Sequence, residues 1–342
     1  MGYRARWIGR QGTGAFMERS QVAEPIPGSA ALRAGYQHEA FLYEGHEEFM
    51  QGTLDFILDA VAAAEPVLVV VDSDKIDLLR GELGGNSDEV LFADMAEVGT
   101  NPARIIPAWQ DFLDERAAAH RRVRGIGEPI WSGRSPAQLA ECQRHEALLN
   151  LAFEDPSFWL LCPYDLVTLD ATVIDEARRT HPIVRQGGVG GPSSSYPGIG
   201  ELATPDMSPL SEVPDEALVM AFRPGDLGEV RRFVARHSAH QGLGVDRVAD
   251  LVLAADEICT NSLRHGEGQG TVRIWTEGAE VVCEIRDRGR IQEPLAGRRR
   301  PSLEHSDGRG LWMVNQLCDL FQIRSTEGGG VVRLRIAIRT TG

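Results

Sequence analysis

The chain of 342 residues contains no apolar run approaching the roughly 18 to 20 residues that a membrane-spanning helix needs. Its first residues show no apolar h-region of a secretory signal, so a cytoplasmic protein is expected. Positive charge is short: 35 Lys and Arg stand against 50 Asp and Glu, a formal net charge of -15. Nucleic-acid binding depends on basic residues neutralising phosphates, so it is disfavoured, and protein partners or small ligands are expected instead. Cysteine is sparse and unpaired. Cys142, Cys162, Cys259, Cys283 and Cys318 are odd in number, lie scattered through apolar segments and include no CxxC pair, so they read as reduced core residues. Cys142 and His145 have CxxH spacing, but a zinc site needs four ligands and no second pair stands near them in the sequence.

What is present is globular. Hydrophobic residues make up 42% and charged residues 25%, and the length suggests two domains of about 150 residues each. Residues 1–34 hold several breakers and little periodicity, and are expected to form a flexible leader that could include non-native sequence in its first 16 residues, with Met17 as an alternative start. Residues 35–184 then alternate strand-length apolar runs (Ala40 to Tyr43, Pro66 to Val71, Val90 to Ala93, Phe158 to Cys162) with helical patterns near 47–64, 74–83, 102–120, 136–153 and 171–179. Such alternation predicts an α/β domain with a mostly parallel sheet covered on both faces, with ligands at the carboxyl ends of the strands. Glu44, Asp72, Asp94 and Asp165 each end an expected strand and are candidate site acids. No GxxxxGK[ST] follows the first strand, where the chain reads Tyr43-Glu44-Gly45-His46-Glu47-Glu48, an acidic turn that would repel phosphate. Nucleotide hydrolysis in this half is therefore not expected. His145-Glu146 is expected on a helix surface.

Gly, Pro and Ser dominate from Gly187 to Gly200, and residues 185–212 are expected to be a flexible linker between two independently folded bodies. Residues 213–342 then predict an α+β domain: a strand at Leu218 to Phe222, a helix near 226–241, a second helix ending at His265, strands at Thr271 to Thr276 and Glu280 to Arg286, a helix that follows Gly308-Arg309-Gly310-Leu311 and runs to about Leu320, and strands at Phe321 to Ser325 and Val331 to Ile338. In the second helix, Val248, Leu251, Val252, Ala255, Ile258, Cys259 and Ser262 recur on one buried face. Glu257 and Asn261 stand one turn apart on the other side. That pair is either a solvated polar face or a base beside a hard oxygen ligand for a metal-bound phosphate.

The segments Gly125-Ile126-Gly127-Glu128-Pro129-Ile130-Trp131 and Cys162-Pro163-Tyr164-Asp165, with His38 and Tyr43, resemble the MEDS sensory domain, which implies a small-molecule or signal sensor over about 36–182. Trp131 and Tyr164 are either core aromatics or ligand contacts. The order of a helix with Glu257 and Asn261, then Asp287-x-Gly289, a variable loop, and Gly308-x-Gly310 before a helix resembles the GHKL ATPase superfamily, and within it the bacterial anti-sigma factor serine kinases. This resemblance implies an antiparallel or mixed sheet with helices on one face. It implies ATP and Mg2+ as cofactors, with Asn261 on the metal, Glu257 as catalytic base, Asp287 and Gly289 at the adenine, and Gly308, Arg309, Gly310 and Leu311 at the phosphates. The partners it implies are a sigma factor and a STAS-type anti-anti-sigma protein, with homodimerisation common among such kinases. The sequence departs from the family at Arg290, where a third glycine is expected, and at Val331, where a hydroxyl is expected. Arg290, Arg298, Arg299 and Arg300 either contact phosphates or are solvated. Two functions therefore stand open: a protein serine/threonine kinase controlling a sigma factor by partner switching, or a non-catalytic ATP-binding interaction switch.

Overall fold

The computed structural model describes residues 36–116, 122–153, 157–204, 208–301 and 308–339; the expected leader and the end of the variable loop at Asp307 lie outside them. Strands β1 (Gln37–Tyr43), β2 (Val67–Val71), β3 (Val90–Asp94), β4 (Val123–Gly127), β5 (Phe158–Asp165), β6 (Ile183–Gln186) and β7 (Val189–Pro192) form one sheet in the order β3-β2-β4-β5-β1-β6-β7. Every pairing in it is parallel except that of β6 with β7. The aliphatic run of β2 shows why the sheet is buried on both sides. Val67, Val69 and Val71 face a cluster with Ile57 and Leu79 from α1 (Gly45–Ala62) and α2 (Ser73–Leu83). Leu68 and Val70 face the other way, into a cluster shared with the short α3 (Met95–Val98), α4 (Ile105–Arg116), α5 (Pro136–Ala152) and α6 (Ala171–Thr180). Alternation of side chains across a pleat makes five consecutive aliphatics the signature of a doubly covered strand.

Two features depart from the sequence expectation. The interior strand β4 carries no apolar run because Gly125 and Gly127 lie under the Trp109 ring; a Cβ at Gly125 would come within 2.9 Å of that ring and 3.0 Å of Leu160. Part of the expected linker is also folded. Gly187 and Gly188, both at positive φ, form the two-residue turn that joins β6 to β7, so glycine there supplies hairpin geometry instead of tether flexibility. Beyond it α7 (Ile199–Leu202) buries Leu202, and Arg144 of α5 donates to the Leu202 and Thr204 carbonyls.

The second sheet is antiparallel, in the order β11-β12-β10-β9-β8. It comprises β8 (Leu218–Phe222), β9 (Gly270–Glu277), β10 (Glu280–Asp287), β11 (Leu320–Thr326) and β12 (Gly329–Ala337), with α8 (Leu227–His240), α9 (Val245–His265) and α10 (Arg309–Leu317). Val230, Val234, Leu251, Ala255, Ile258 and Val314 of the helices pack with Val281, Cys283 and Ile285 of β10 and Val332, Leu334 and Ile336 of β12. The opposite face of the sheet is charged. Arg333 donates to Glu284 at 2.6 Å, lies over the Trp275 ring, and is covered by Ser211. Both fold classes expected from the sequence are therefore present. Among the described residues no helix is long and apolar enough to cross a membrane.

The two bodies are packed together. Leu295, from the segment between β10 and α10, is buried in the hydrophobic cluster of the first sheet. Beside it Glu141 of α5 accepts from Arg298 at 2.6 Å and pairs with Arg324 of β11 at 2.8 Å, all three side chains being buried. Arg104 donates to the Asn315, Gln316 and Cys318 carbonyls at the end of α10, and Asn101 donates to those of Asn315 and Cys318.

Candidate functional site

Helix α9 is placed by the stripe the sequence predicts: Leu251, Ala255, Ile258, Cys259 and Ser262 are buried, with Val248 and Val252 partly so. That leaves Glu257 and Asn261 on the flank, where both line a cavity of about 520 Å³. Asp287 and Gly289 reach the same cavity from the end of β10, and Gly308, Gly310 and Leu311 reach it from the start of α10. Arg309 is exposed and does not belong to the cavity wall. Ile258, Ile291, Leu311 and Val332 supply an apolar floor between these polar ends.

The Asp287 carboxylate is held from two sides. One oxygen accepts the Ser262 hydroxyl at 2.5 Å and the other accepts the Gly289 N–H at 2.6 Å. Each carboxylate oxygen keeps a further lone pair, so the oriented group can still accept from a ligand. The close packing around it requires glycine. A Cβ at Gly266 would come within 2.5 Å of the Asp287 carboxyl carbon, and one at Gly289 within 2.8 Å of an Asp287 oxygen and of the His265 carbonyl. Ser262 is the functional side chain that sequence reasoning missed: its place in the buried stripe hides that its hydroxyl aims Asp287.

At the other end Gly308 sits at φ 84° and starts α10. The first N–H groups of a nine-residue helix, with the helix dipole behind them, favour an anion there. Gly310 lies directly against the Glu257 carboxylate, leaving no room for a side chain. The Asn261 side chain makes no hydrogen bond among the described residues and is half-buried in the wall between Glu257 and Asp287, so its amide oxygen is uncommitted. An apolar slot with an aimed acceptor at one end and helix N–H groups with hard oxygen donors at the other fits an adenine nucleotide and its magnesium ion.

The two departures from the family pattern fall differently. Arg290 lines the cavity with an exposed side chain, placing a cation where a glycine is expected. Val331 does not line it. The wall residue is Val332, and alternation along β12 sends Val331 to the opposite face. The other arginines turn away from any phosphate. Arg298 is buried against Glu141, whereas Arg299 and Arg300 stay exposed, Arg299 donating to the Leu151 carbonyl and Arg300 pairing with Asp111, so all three contact the first domain and the solvated reading fails for Arg298 alone.

In the first domain the expected strand-end acids are largely used for capping. Asp72 and Asp94 accept from the N–H groups of Lys75 and Ala96 at the starts of α2 and α3, and Asp165 accepts from Val167 N–H and the Thr168 hydroxyl. Glu44 precedes α1 without a side-chain cap. The group that does converge at the strand ends is Tyr43, Lys75 and Glu128, with Lys75 Nζ 2.6 Å from Glu128 Oε2 and the Tyr43 hydroxyl donating to Glu128 at 2.9 Å. Burial raises the Glu128 carboxyl against the opposing pull of Lys75. Tyr164 is a core residue, whereas Trp131 is exposed under the Arg134 guanidinium. His145 and Glu146 are both buried, not on a helix surface, because α5 is enclosed by the sheet, α6 and the second domain.

Comparison with known proteins agrees with this division. Residues 37–182 match the family model of the MEDS domain, described as the methanogen/methylotroph DcmR sensory domain. Residues 220–336 match the family model of the histidine kinase-like ATPase domain. No curated protein matches the chain. Among solved structures, the RsbU and RsbW domains of Rv1364c from Mycobacterium tuberculosis are similar at 21% identity over 37% of this chain and 33% of that chain, with a TM-score of 0.28. The match thus spans about one third of the length of that protein.

Proposed function

For a chain that joins a MEDS sensory domain to a histidine kinase-like ATPase domain, we propose the role of a cytoplasmic bacterial anti-sigma regulator. In this reading the second domain binds Mg-ATP and phosphorylates a serine or threonine of a STAS-type anti-anti-sigma protein, and holds a sigma factor when that partner is withdrawn. The observation that carries it is the convergence of Glu257, Asn261, Asp287, Gly289, Gly308 and Gly310, drawn from three separate stretches of sequence, around one cavity. Asp287 accepts the adenine amino group, and Gly289 lets the backbone approach the base. Gly308 to Leu311 offer helix N–H groups to the phosphates, with Arg309 at their outer edge. Asn261 holds the magnesium ion, which supplies charge neutralisation at the phosphates. Glu257 takes the proton of the partner hydroxyl as its oxygen bonds to the terminal phosphorus and ADP departs with the electrons of the broken P–O bond.

Regulation follows from the contact between the domains. The segment between β10 and α10, which borders the cavity through Ile291, is anchored on the first domain by Leu295 and Arg298. A small-molecule signal that favours one arrangement of the first domain would therefore change nucleotide binding or partner choice, by no more than its preference between the arrangements. The site is tested by titrating wild-type and Asn261→Ala protein with Mg-ATP in a calorimeter. Loss of magnesium-dependent binding with an unchanged circular dichroism spectrum is expected, and equal affinities would refute the assignment.

A further inference from the structure

The first domain encloses a cluster that none of the preceding chemistry uses. His38 of β1, Glu146 of α5, Cys162 of β5 and His181 after α6 are all buried, and one ligand atom from each lies within 4.8 Å of every other. Glu146 Oε2 is 3.1 Å from His38 Nε2 and 3.3 Å from His181 Nε2, while Cys162 Sγ is 3.4 Å from His38 Nε2 and 3.6 Å from Glu146 Oε2. Around a tetrahedral zinc ion, with Zn–N and Zn–O near 2.05 Å and Zn–S near 2.3 Å, two light ligands stand about 3.4 Å apart and a light ligand stands about 3.6 Å from sulfur. The four separations given above lie near that pattern, the longer ones at sulfur, and the His38–His181 and Cys162–His181 pairs lie within 4.8 Å.

The outer contacts decide which imidazole nitrogens point inward. Asn150 Nδ2 lies within 2.8 to 3.3 Å of the Thr180, Glu146 and Ala147 carbonyls, which orients its Oδ1 to accept from His38 Nδ1 at 3.2 Å. His181 Nδ1 faces the Ala177 carbonyl at 2.8 Å, and a carbonyl can only accept. Both rings therefore carry their proton on Nδ1 and turn the Nε2 lone pair toward the Glu146 carboxylate. Among the described residues His181 Nε2 and Glu146 Oε1 have no hydrogen-bond partner, although both are buried. Protonating both rings would place two cations with centroids 3.9 Å apart in a buried interior. Metal-binding histidines show this same arrangement, in which the outer ring nitrogen donates to a carbonyl or amide and the inner one binds the ion.

We propose that His38, Glu146, Cys162 and His181 form a closed four-ligand site for a divalent transition ion of zinc's class. A set of two imidazoles, a thiolate and a carboxylate suits such an ion and not magnesium or calcium, which take oxygen ligands. Binding replaces the Cys162 thiol proton by the metal and releases that proton to solvent. Sequence spacing could not reveal the site, because its ligands come from four elements and no two are close in sequence. Glu146 shares helix α5 with Glu141, so the ion would brace the helix that docks the ATPase domain.

The test uses the full chain, expressed with zinc, desalted, and measured by plasma mass spectrometry and by colorimetric release on unfolding. About one zinc per chain is expected. Cobalt taken up in its place should give visible ligand-field bands and a near-ultraviolet thiolate charge-transfer band, the latter lost in Cys162→Ser. His181→Asn should empty the site, and Asn150→Leu, which removes the outer contact of His38 together with the Asn150 bonds to the Thr180, Glu146 and Ala147 carbonyls, should weaken affinity roughly 10- to 100-fold. Wild-type protein that holds no stoichiometric zinc and shows no cobalt bands would mean a hydrogen-bonded network only and overturn the proposal. Metal content and cobalt spectrum unchanged in Cys162→Ser would overturn it as well.

Discussion

The contact between the domains can be broken at one carboxylate. Glu141 is 1% exposed and stands between Arg298 and Arg324, whose side chains are 7% and 3% exposed, at 2.6 and 2.8 Å. Glu141→Gln keeps the shape and one acceptor oxygen but removes the only negative charge in the triad. Breaking a buried pair by removing one partner costs about 3 to 5 kcal/mol, because the remaining charge stays desolvated. Arg324 keeps its bonds to Ser208 and the Ile323 carbonyl, so the lower end of that range applies. The protein escapes the cost by separating the domains, since both arginines then regain water. A penalty of about 3 kcal/mol shifts that docking equilibrium roughly 100-fold toward the open form. Hydrogen exchange of residues 290–301, read by mass spectrometry, should accelerate accordingly, and Mg-ATP affinity should change with it. The cycle completed with Arg298→Gln should show coupling well above the roughly 0.5 kcal/mol of independent sites. Unaltered exchange in that segment, or additive effects in the cycle, would refute the view that this pair holds the domains together.

Glu257→Gln should leave ATP affinity nearly unchanged and lower phosphorylation of a STAS partner by about 100-fold or more, measured with radiolabelled ATP; a wild-type protein that phosphorylates no such partner would favour the non-catalytic switch. Gly289→Ala should abolish nucleotide binding in the same calorimetric assay, because the added Cβ meets an Asp287 oxygen and the His265 carbonyl within 2.8 Å. Burial works to raise the Glu284 carboxyl, and hydrogen bonds from Arg286 and Arg333 more than offset it, holding it below its ordinary value. Its contribution to stability is therefore complete above the unfolded carboxylate range near pH 4.3 and is lost as pH falls through the lower folded value. Thermal melts should show a flatter acid limb in Glu284→Gln than in wild type. All five cysteines are buried, and burial pushes Cys142 and Cys318 up to about 12, so a thiol reagent at pH 8 should react only on the timescale of unfolding.

Much of this molecule is legible along the chain because the physics involved is local. The aliphatic run at Val67–Val71 reads as a doubly covered strand, and the stripe from Leu251 to Ser262 reads as a buried helix face, because side-chain direction repeats with backbone geometry. Glu257, Asn261, Asp287, Gly289, Gly308 and Gly310, which the family resemblance singles out in order along the chain, line one cavity together. Where the same residue serves two purposes, sequence is ambiguous. Gly125 and Gly127 vanish as a strand because they make room for Trp109, and Gly187-Gly188 reads as tether although its positive φ closes a hairpin.

What the chain order alone determined was the two fold classes and the helix, strand and glycine boxes of the second domain, all set by contacts within a few residues. Only tertiary structure decided where long-range partners meet. It brought Arg298, Arg299 and Arg300 to the first domain instead of the cavity, and drew Leu295 into that domain's core. It turned Ser262 toward Asp287 and gathered His38, Glu146, Cys162 and His181 from four elements into one buried cluster. The reason is the same in each case: burial and charge pairing reward proximity in space, and nothing in the spacing of residues along a chain records which distant segment will complete a site.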